Sequence, residues 1–254
     1  MIKISASIVI YNEYKEILEN VINSFLAISL EKELIIVDNS PNSYLKDFIE
    51  AFECTTYLFS GENVGFGAGH NLAFQHLTQK SDIHIIINPD TYFDGKEIKD
   101  FLLWLSENQE ISLAVPQVFF PDSTLQYTVR NIPTPMTLLK RRFNPRGIFD
   151  KFISKDEFRD ANFKDATEIP FSHGCFFIFK TNVYEKLDGF DERFFMYMED
   201  VDIFIRAKEF GKTVINPNYK IYHEYRKGSS KNSKLLFWHI SSAIKFFFKH
   251  SKFN

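Results

Sequence analysis

From residue 4 to about residue 110, short aliphatic runs alternate with stretches in which apolar residues recur every three or four positions. Runs of the first kind read as buried strands, and those of the second as helices with one face turned to a core. Ile4 to Ile10, Glu33 to Val37, Thr56 to Phe59 and the run from Ile83 to Ile87 are strand-like. Glu16 to Leu26 places Ile17, Leu18, Val21, Ile22, Phe25 and Leu26 on one helical face. Tyr44, Leu45, Phe48, Ile49 and Phe52 mark a second helix. A third follows the glycine-rich loop Asn63 to Asn71 and runs to about Thr78, and a fourth carries Ile98, Phe101, Leu102 and Leu105. Strand and helix taken in turn predict an α/β fold, a mostly parallel sheet flanked by helices, with polar tips gathered along one edge.

After the strand Ser112 to Phe120 the alternation breaks down. Residues 121 to 170 mix Pro121, Pro133, Pro135 and Pro145 with the basic cluster Lys140-Arg141-Arg142, and read as a loop-rich excursion. Regularity returns with a strand from His173 to Phe179 and a short helix whose expected N-cap is Thr181. A helix then runs from Glu199-Asp200-Val201-Asp202 to Phe210, followed by strands from Thr213 to Ile215 and from Lys220 to His223. A last amphipathic helix, about Ser233 to Phe248, closes the pattern.

Composition sharpens this reading in three places. The chain has 254 residues, 44% of them hydrophobic and 25% charged, as expected of a folded protein with a full core. Its 29 Phe and 11 Tyr lift aromatics to 17%, which fits an aromatic core, sugar-stacking surfaces or a face meant for a membrane. The net charge of −3 is unevenly spread: Arg226 to Asn254 holds seven basic residues and no acid, so the preceding body carries 23 basic against 33 acidic residues. An acidic body with a basic, aromatic tail argues against a nucleic-acid partner and suits a tail lying on anionic lipid. Cys54 and Cys175 have no motif spacing around them and read as core residues. With neither a signal-peptide pattern nor a run of about 20 apolar residues, the chain is expected in the cytoplasm, soluble or peripheral on the inner face of the cell membrane.

Candidate chemistry clusters where the strands end. The run Ile83 to Ile87 stops at Asn88-Pro89-Asp90, because proline lacks a backbone donor and restrains its predecessor. Asp90 is thereby placed just past the carboxyl end of a strand, where open α/β sheets bind ligands and a carboxylate can hold a divalent cation. Asn-Pro-Asp is equally ordinary turn chemistry. Asp38, after the second strand, can accept from a base imide or a ribose hydroxyl, or simply belong to an Asp-Asn-Ser-Pro turn. The loop with Gly65, Gly67 and Gly69 opens a helix and can bring backbone N–H groups to phosphate or sugar, although its third glycine comes one residue early for a dinucleotide fingerprint. Glu199, Asp200 and Asp202 begin a helix behind Phe194-Phe195-Met196-Tyr197. Acids suit a helix N-terminus, but a carboxylate backed by aromatics is also what a general base requires. His223 fits either a satisfied buried histidine or a cation or phosphate contact.

Ile8-Val9-Ile10-Tyr11-Asn12, Val37-Asp38-Asn39, Asn63 through Asn71, Asn88-Pro89-Asp90, Gly189-Phe190-Asp191-Glu192, Glu199-Asp200-Val201-Asp202 and His223 occur in an order that resembles the family-two glycosyltransferases of the GT-A fold, in their rhamnosyltransferase-like branch. The resemblance covers about residues 4 to 225. It implies a GT-A domain over residues 1–225, with a nucleotide-binding half at 1–110 and an acceptor and catalytic half at 111–225, followed by a basic aromatic tail at 226–254. It further implies that Tyr11, Asn12, Asp38, Asn63, Gly65, Gly69, Asn71 and Asn88 face the nucleotide-sugar donor, that Asp90 and His223 hold Mg²⁺ or Mn²⁺, and that Asp200 is the catalytic base. Glu199, Arg130 and Tyr197 are the acceptor-side candidates. Asn88 stands where many relatives carry the first aspartate of an Asp-x-Asp motif, so the metal site would rest on one carboxylate. The implied reaction is inverting transfer of a sugar, foremost L-rhamnose from dTDP-L-rhamnose, to a glycan or lipid-linked glycan of the cell surface. A UDP-sugar donor and a catalytically silent nucleotide-sugar or glycan-binding module are the alternatives. The last helix has three open destinations: anionic membrane lipid, the body of the protein, or a second subunit of a homodimer.

Overall fold

The structure, a computed structural model, describes residues 2–224 and 233–251. The first half of the chain forms β1 (Lys3–Ile10), α1 (Lys15–Leu26), β2 (Glu31–Asp38), α2 (Lys46–Glu50), β3 (Thr55–Phe59), α3 (Phe66–Gln75), β4 (Ile83–Ile87), β5 (Thr91–Tyr92), α4 (Gly95–Glu107) and β6 (Ile111–Phe119). The second half adds β7 (Leu125–Gln126), β8 (Val129–Arg130), α5 (Pro135–Arg142), α6 (Asp150–Asp156), β9 (Thr167–Glu168), β10 (Phe171–Ser172), β11 (Phe176–Lys180), α7 (Thr181–Lys186), α8 (Glu199–Ala207), β12 (Lys212–His223) and α9 (Ser233–Lys249).

One large sheet runs β3-β2-β1-β4-β11-β6-β12-β5. β1 pairs in parallel with β2 and β4, and β2 with β3, as strand–helix alternation requires. β11 lies antiparallel between β4 and β6 and joins the two halves into a single mixed sheet. Because β6 and β12 are again parallel, the carboxyl ends of β1, β2, β4, β6 and β12 all reach one edge. The amino-terminal end of β11 meets them there.

Apolar layers cover both faces. One gathers the aliphatic faces of β1, β2 and β4 with Phe25 of α1 and Phe101 of α4. The other is the aromatic core that composition suggested, built from Phe177, Phe179, Tyr184, Phe190, Phe194, Phe204 and Phe246. Each fully buried ring contributes roughly 2 kcal/mol through the apolar area it removes from water.

Four local expectations are corrected. The excursion at 121–170 holds helices: Thr134 caps α5 by accepting from the Thr137 N–H, with Pro135 in the first turn, where a missing donor costs nothing. The strand expected from His173 to Phe179 is interrupted at His173-Gly174-Cys175, where the Cys175 N–H turns back to the His173 carbonyl and the chain leaves β10 for β11. Thr181 does not cap α7 but is its first residue, its hydroxyl lying 3.0 Å from Ser81 Oγ. The two strands expected at 213–215 and 220–223 are one, because an irregularity between Asn216 and Lys220 absorbs Pro217 without ending the pairing with β6.

The carboxyl-terminal helix is docked on the body. Phe246 is buried, and Ser242 Oγ donates to the Met196 carbonyl at 2.8 Å. Lys249 Nζ bridges Asp191 and Asp202 at 2.6 Å to each, and His250 Nε2 lies 2.7 Å from the same buried Asp202. Arg226, Lys227, Lys231 and Lys252, part of the basic tail, lie outside the described residues. Among the described residues no helix is long and apolar enough to cross a membrane.

Candidate active site

The shared sheet edge is built first by the loops after β1 and β2. Tyr11 is exposed, and Asn12 sits in a left-handed conformation, tolerable for asparagine, with its backbone N–H donating to Ser40 Oγ at 2.8 Å. Asp38 was expected to offer its carboxylate to a nucleotide. It is instead fully buried, accepting from the Tyr57 hydroxyl and the Ser40 N–H, both at 2.8 Å. Its role here is to shape the turn that carries Asn39 and Ser40, since a carboxylate stripped of water must take its hydrogen bonds from the protein.

The glycine loop leans on the second half of the chain. Asn63 Oδ1 accepts from the Gly65 N–H, and the Phe66 N–H donates to the Phe195 carbonyl. Gly65 has φ +93°, and a Cβ there would collide with that carbonyl oxygen. Gly69 is needed for packing, as a Cβ would meet the Val9 methyls at 2.8 Å. Asn71, expected on the donor, is occupied internally. Its Oδ1 accepts from the Tyr184 hydroxyl and the Phe190 N–H, while Nδ2 donates to the Phe190 carbonyl and to Glu192.

After β4, the Asn88 N–H donates to the Cys175 carbonyl, and the Asn88 carbonyl accepts from Thr91, which fixes the Asn-Pro-Asp turn. β5 then pairs with the end of β12, placing Thr91 opposite His223. Across that pairing His223 Nε2 lies 3.2 Å from Asp90 Oδ1, with both side chains mostly buried. His223 Nδ1 lies 3.1 Å from Gln126 Oε1. Asn88 Oδ1 is buried with no hydrogen-bond partner. Among the described residues no three His, Cys, Asp or Glu side chains converge on one point. One carboxylate, one imidazole and one unsatisfied amide oxygen nevertheless suit a hard divalent cation whose remaining ligands are water and substrate phosphate. The donor set therefore fits the expected ion.

The second cluster faces this one across the His173-Gly174-Cys175 turn. Asp200, in the first turn of α8, accepts from the Val201 N–H at 2.8 Å, and its Oδ2 lies 3.4 Å from His173 Nδ1. Partial burial and, behind it, the Arg130 guanidinium hold the His173 imidazole below its usual range, while Asp200 pulls the other way. With 42% of its side chain open to solvent, His173 is only partly desolvated. Glu199 is buried, with Oε2 unpartnered, and desolvation followed by the neighbouring Asp200 pushes its carboxyl up to about 8. The Cys175 thiol is raised to about 12 by burial and then by Asp90, with Asp200 adding to the effect, so it is an inert neighbour of both carboxylates. Tyr197 and Met198, both at φ +69°, turn the chain into α8, and the Tyr197 ring contacts His239 of α9 at 4.9 Å. Arg130 pairs with Phe171 across β8 and β10 and forms an ion pair with Glu157 at 3.2 Å. His173 and Gln126 were not singled out from the sequence. A polar residue and a glycine interrupting an aromatic strand were the available signal for His173, and no local signal marked Gln126.

A mixed, mostly parallel sheet that brings acidic and imidazole groups from both halves to one edge defines the GT-A class of sugar-nucleotide enzymes. Residues 5–188 match the family described as "Glycosyl transferase family 2", and the chain belongs to that family. It is 21% identical over 248 residues to rhamnosyltransferase WbbL of Escherichia coli (strain K12), covering 94% of this chain and 90% of that protein. It is 23% identical to an N-acetylglucosaminyl-diphospho-decaprenol L-rhamnosyltransferase of Mycobacterium tuberculosis, covering 89% of this chain and 78% of that one. The low-salt glycan biosynthesis hexosyltransferase Agl10 of Haloferax volcanii is 26% identical, but the chain spans only 61% of its length. Among solved structures, GalNAc-T7 with UDP, GalNAc and Mn²⁺ aligns at TM-score 0.66 and 15% identity, over 91% of this chain and 45% of that one. Mannosyltransferase PcManGT from Pyrobaculum calidifontis, in complex with GDP-Man and Mn²⁺, aligns at TM-score 0.60 and 15% identity, over 98% of this chain and 64% of that one. The chain is thus a nucleotide-sugar-dependent glycosyltransferase of the rhamnosyltransferase-like kind.

Proposed function

We propose that the protein transfers L-rhamnose from dTDP-L-rhamnose, with inversion, to a hydroxyl of a lipid-linked precursor of a cell-surface polysaccharide. The observation that carries the reading is the convergence of the Asp90–His223 pair and the His173–Asp200 pair on one edge, either side of a single turn. Two relatives named as rhamnosyltransferases, each matched over most of its length, support the donor.

Residues 1–110 supply the donor side, with Tyr11 and Asn12 exposed at the edge and the Asn63–Gly65 turn behind them. Asp90 and His223, with the Asn88 amide oxygen, would hold a divalent cation. Bound there, the cation would offset the negative charge that develops on the leaving diphosphate. Residues 111–225 supply the base. An acceptor hydroxyl is a poor nucleophile until its proton is removed, and Asp200 is positioned for that removal, with one oxygen fixed by the Val201 N–H and the other near His173. Burial keeps the Glu199 carboxyl protonated at neutral pH, so no negative charge directly precedes Asp200, and the Asp202 carboxylate in the same turn is paired with Arg206, Lys249 and His250. Attack from the face opposite the diphosphate inverts the anomeric carbon.

A lipid-linked acceptor has to be reached at a membrane surface. While α9 buries Phe246, with His250 buried just past its end, it turns Phe237, Ile240, Ile244 and Phe248 outward, at spacings that form one apolar stripe. α5, whose Leu138 packs on the same core cluster as Ala243 and Phe247 of α9, exposes Met136 and Leu139 beside Lys140 and Arg142. Apolar side chains flanked by cations are the composition of a surface that lies on anionic lipid.

Thermal melts of the purified protein against nucleoside diphosphates and nucleotide sugars, with and without Mn²⁺, test the donor. dTDP-L-rhamnose should raise the melting temperature most, and Mn²⁺ should add to the shift. Stabilisation by UDP-sugars instead would keep the transferase and remove rhamnose. Asp200→Asn should abolish transfer and leave that thermal shift intact; retained turnover would remove Asp200 from the mechanism.

A further inference from the structure

Gln126 belongs to β7, a two-residue strand inside the proline-rich excursion, far in sequence from both Asp90 and His223. Its side chain is buried against the end of β12. Gln126 Nε2 lies 2.6 Å from the His223 carbonyl oxygen and 3.4 Å from the Phe119 carbonyl oxygen. Two carbonyl oxygens can only accept, so the amide nitrogen must point at them. The amide oxygen is then the atom 3.1 Å from His223 Nδ1. An amide oxygen cannot donate, so Nδ1 must carry the ring proton. In the neutral ring that choice leaves Nε2 as a lone pair, and Nε2 is the nitrogen 3.2 Å from Asp90 Oδ1.

We propose that Gln126 is a positioning residue that fixes the tautomer and ring orientation of His223, so that Nε2 and Asp90 Oδ1 present two electron pairs to one divalent cation. The proposal rests on the cation reading of the Asp90–His223 pair given above. Facing acceptors at that separation repel one another until a positive charge lies between them, so the amide holds the pair ready for the ion. Oriented acceptors behind a ligating imidazole raise its basicity, and their loss typically costs 10–100-fold in metal affinity. Gln126 also acts across the sheet: by bonding the Phe119 and His223 carbonyls it ties the ends of β6 and β12 together beside the ligand.

The test combines Mn²⁺ titration followed by electron paramagnetic resonance with ¹⁵N–¹H NMR of the His223 ring in the metal-free protein. Gln126→Leu should weaken Mn²⁺ binding 10–100-fold and lose the Nδ1–H signature. Gln126→Glu keeps an acceptor opposite Nδ1 but turns its second oxygen against the Phe119 and His223 carbonyls, so it should retain that signature while melting at a lower temperature than the unsubstituted protein. A Gln126→Leu variant that melts as the unsubstituted protein does, keeps the Nδ1–H ring and binds Mn²⁺ equally well overturns the proposal. If Asp90→Asn and His223→Ala also bind Mn²⁺ unchanged, the cation reading itself falls, and Gln126 falls with it.

Discussion

A single amide joins two distant parts of the chain at Asn71. Oδ1 takes protons from Tyr184 and from the Phe190 backbone, and Nδ2 gives protons to the Phe190 carbonyl and to Glu192, so α3 is fastened to the turn at residues 188–192. Asp188 and Gly189 in that turn both have positive φ, a conformation that the fastening helps to hold. Asn71→Leu keeps the volume but leaves several buried groups without partners, each at a cost of about 1–3 kcal/mol. A total loss of about 3 kcal/mol is expected in urea melts, with a smaller loss of about 1 kcal/mol for Tyr184→Phe, which removes one bond while Asn71 Oδ1 keeps the Phe190 N–H. A double variant no worse than Asn71→Leu alone would confirm that the two side chains act as a unit. An Asn71→Leu protein as stable as the original would show that the amide does not bear on the fold.

Among the elements, α9 combines two opposite surfaces on one helix. Its inner face is held by Phe246 and Lys249, and by His250 just past its end, while Phe237, Ile240, Ile244 and Phe248 face outward. Replacing Phe237 and Ile244 with serine touches only exposed positions, so the melting temperature should hold while co-sedimentation with anionic liposomes drops several-fold. Undiminished co-sedimentation would leave the stripe without a role at the membrane. The sequence pattern announced this helix to within a residue at its carboxyl end, and β1, β2 and β4 as well, because the 3.6-residue and continuous-run patterns are local signals. It also brought out Asp90, Asp200 and His223, each at the end of a strand or the start of a helix. What it could not bring out was non-local. Asp38 reads like a ligand until Tyr57 is found against it, and Gln126 has no significance until β7 folds onto β12. The docking of α9 depends in the same way on Asp191 and Asp202, more than 40 residues upstream.

For the whole molecule, these buried groups set opposing responses to acid. His84 of β4 and His70 of α3 are buried against β1, linked to Ser5 and Ser7, and burial lowers the first to about 3 and the second well below its usual range. The unfolded chain takes up protons at these imidazoles near pH 6.5 while the folded chain refuses them, so each removes stability as pH falls below that point. Glu199 works in the other direction. Its carboxyl, raised to about 8, is protonated in the folded chain while the unfolded one is ionised, so it adds stability as pH falls from 8 towards the ordinary carboxylate range. The lowered histidines outnumber the raised carboxyl, so stability falls between pH 6.5 and 5, and Glu199 offsets part of that loss at about 1.4 kcal/mol per pH unit. Glu199→Gln removes the opposing response, and its loss over the same interval should exceed that of the original protein by roughly 2 kcal/mol. Urea melts at the two pH values decide the matter: if the Glu199→Gln variant and the original protein lose stability in parallel, Glu199 is ionised in the folded state. Asp200 would then have a negative charge directly beside it, and the protonated neighbour that spares it this repulsion would have to be abandoned.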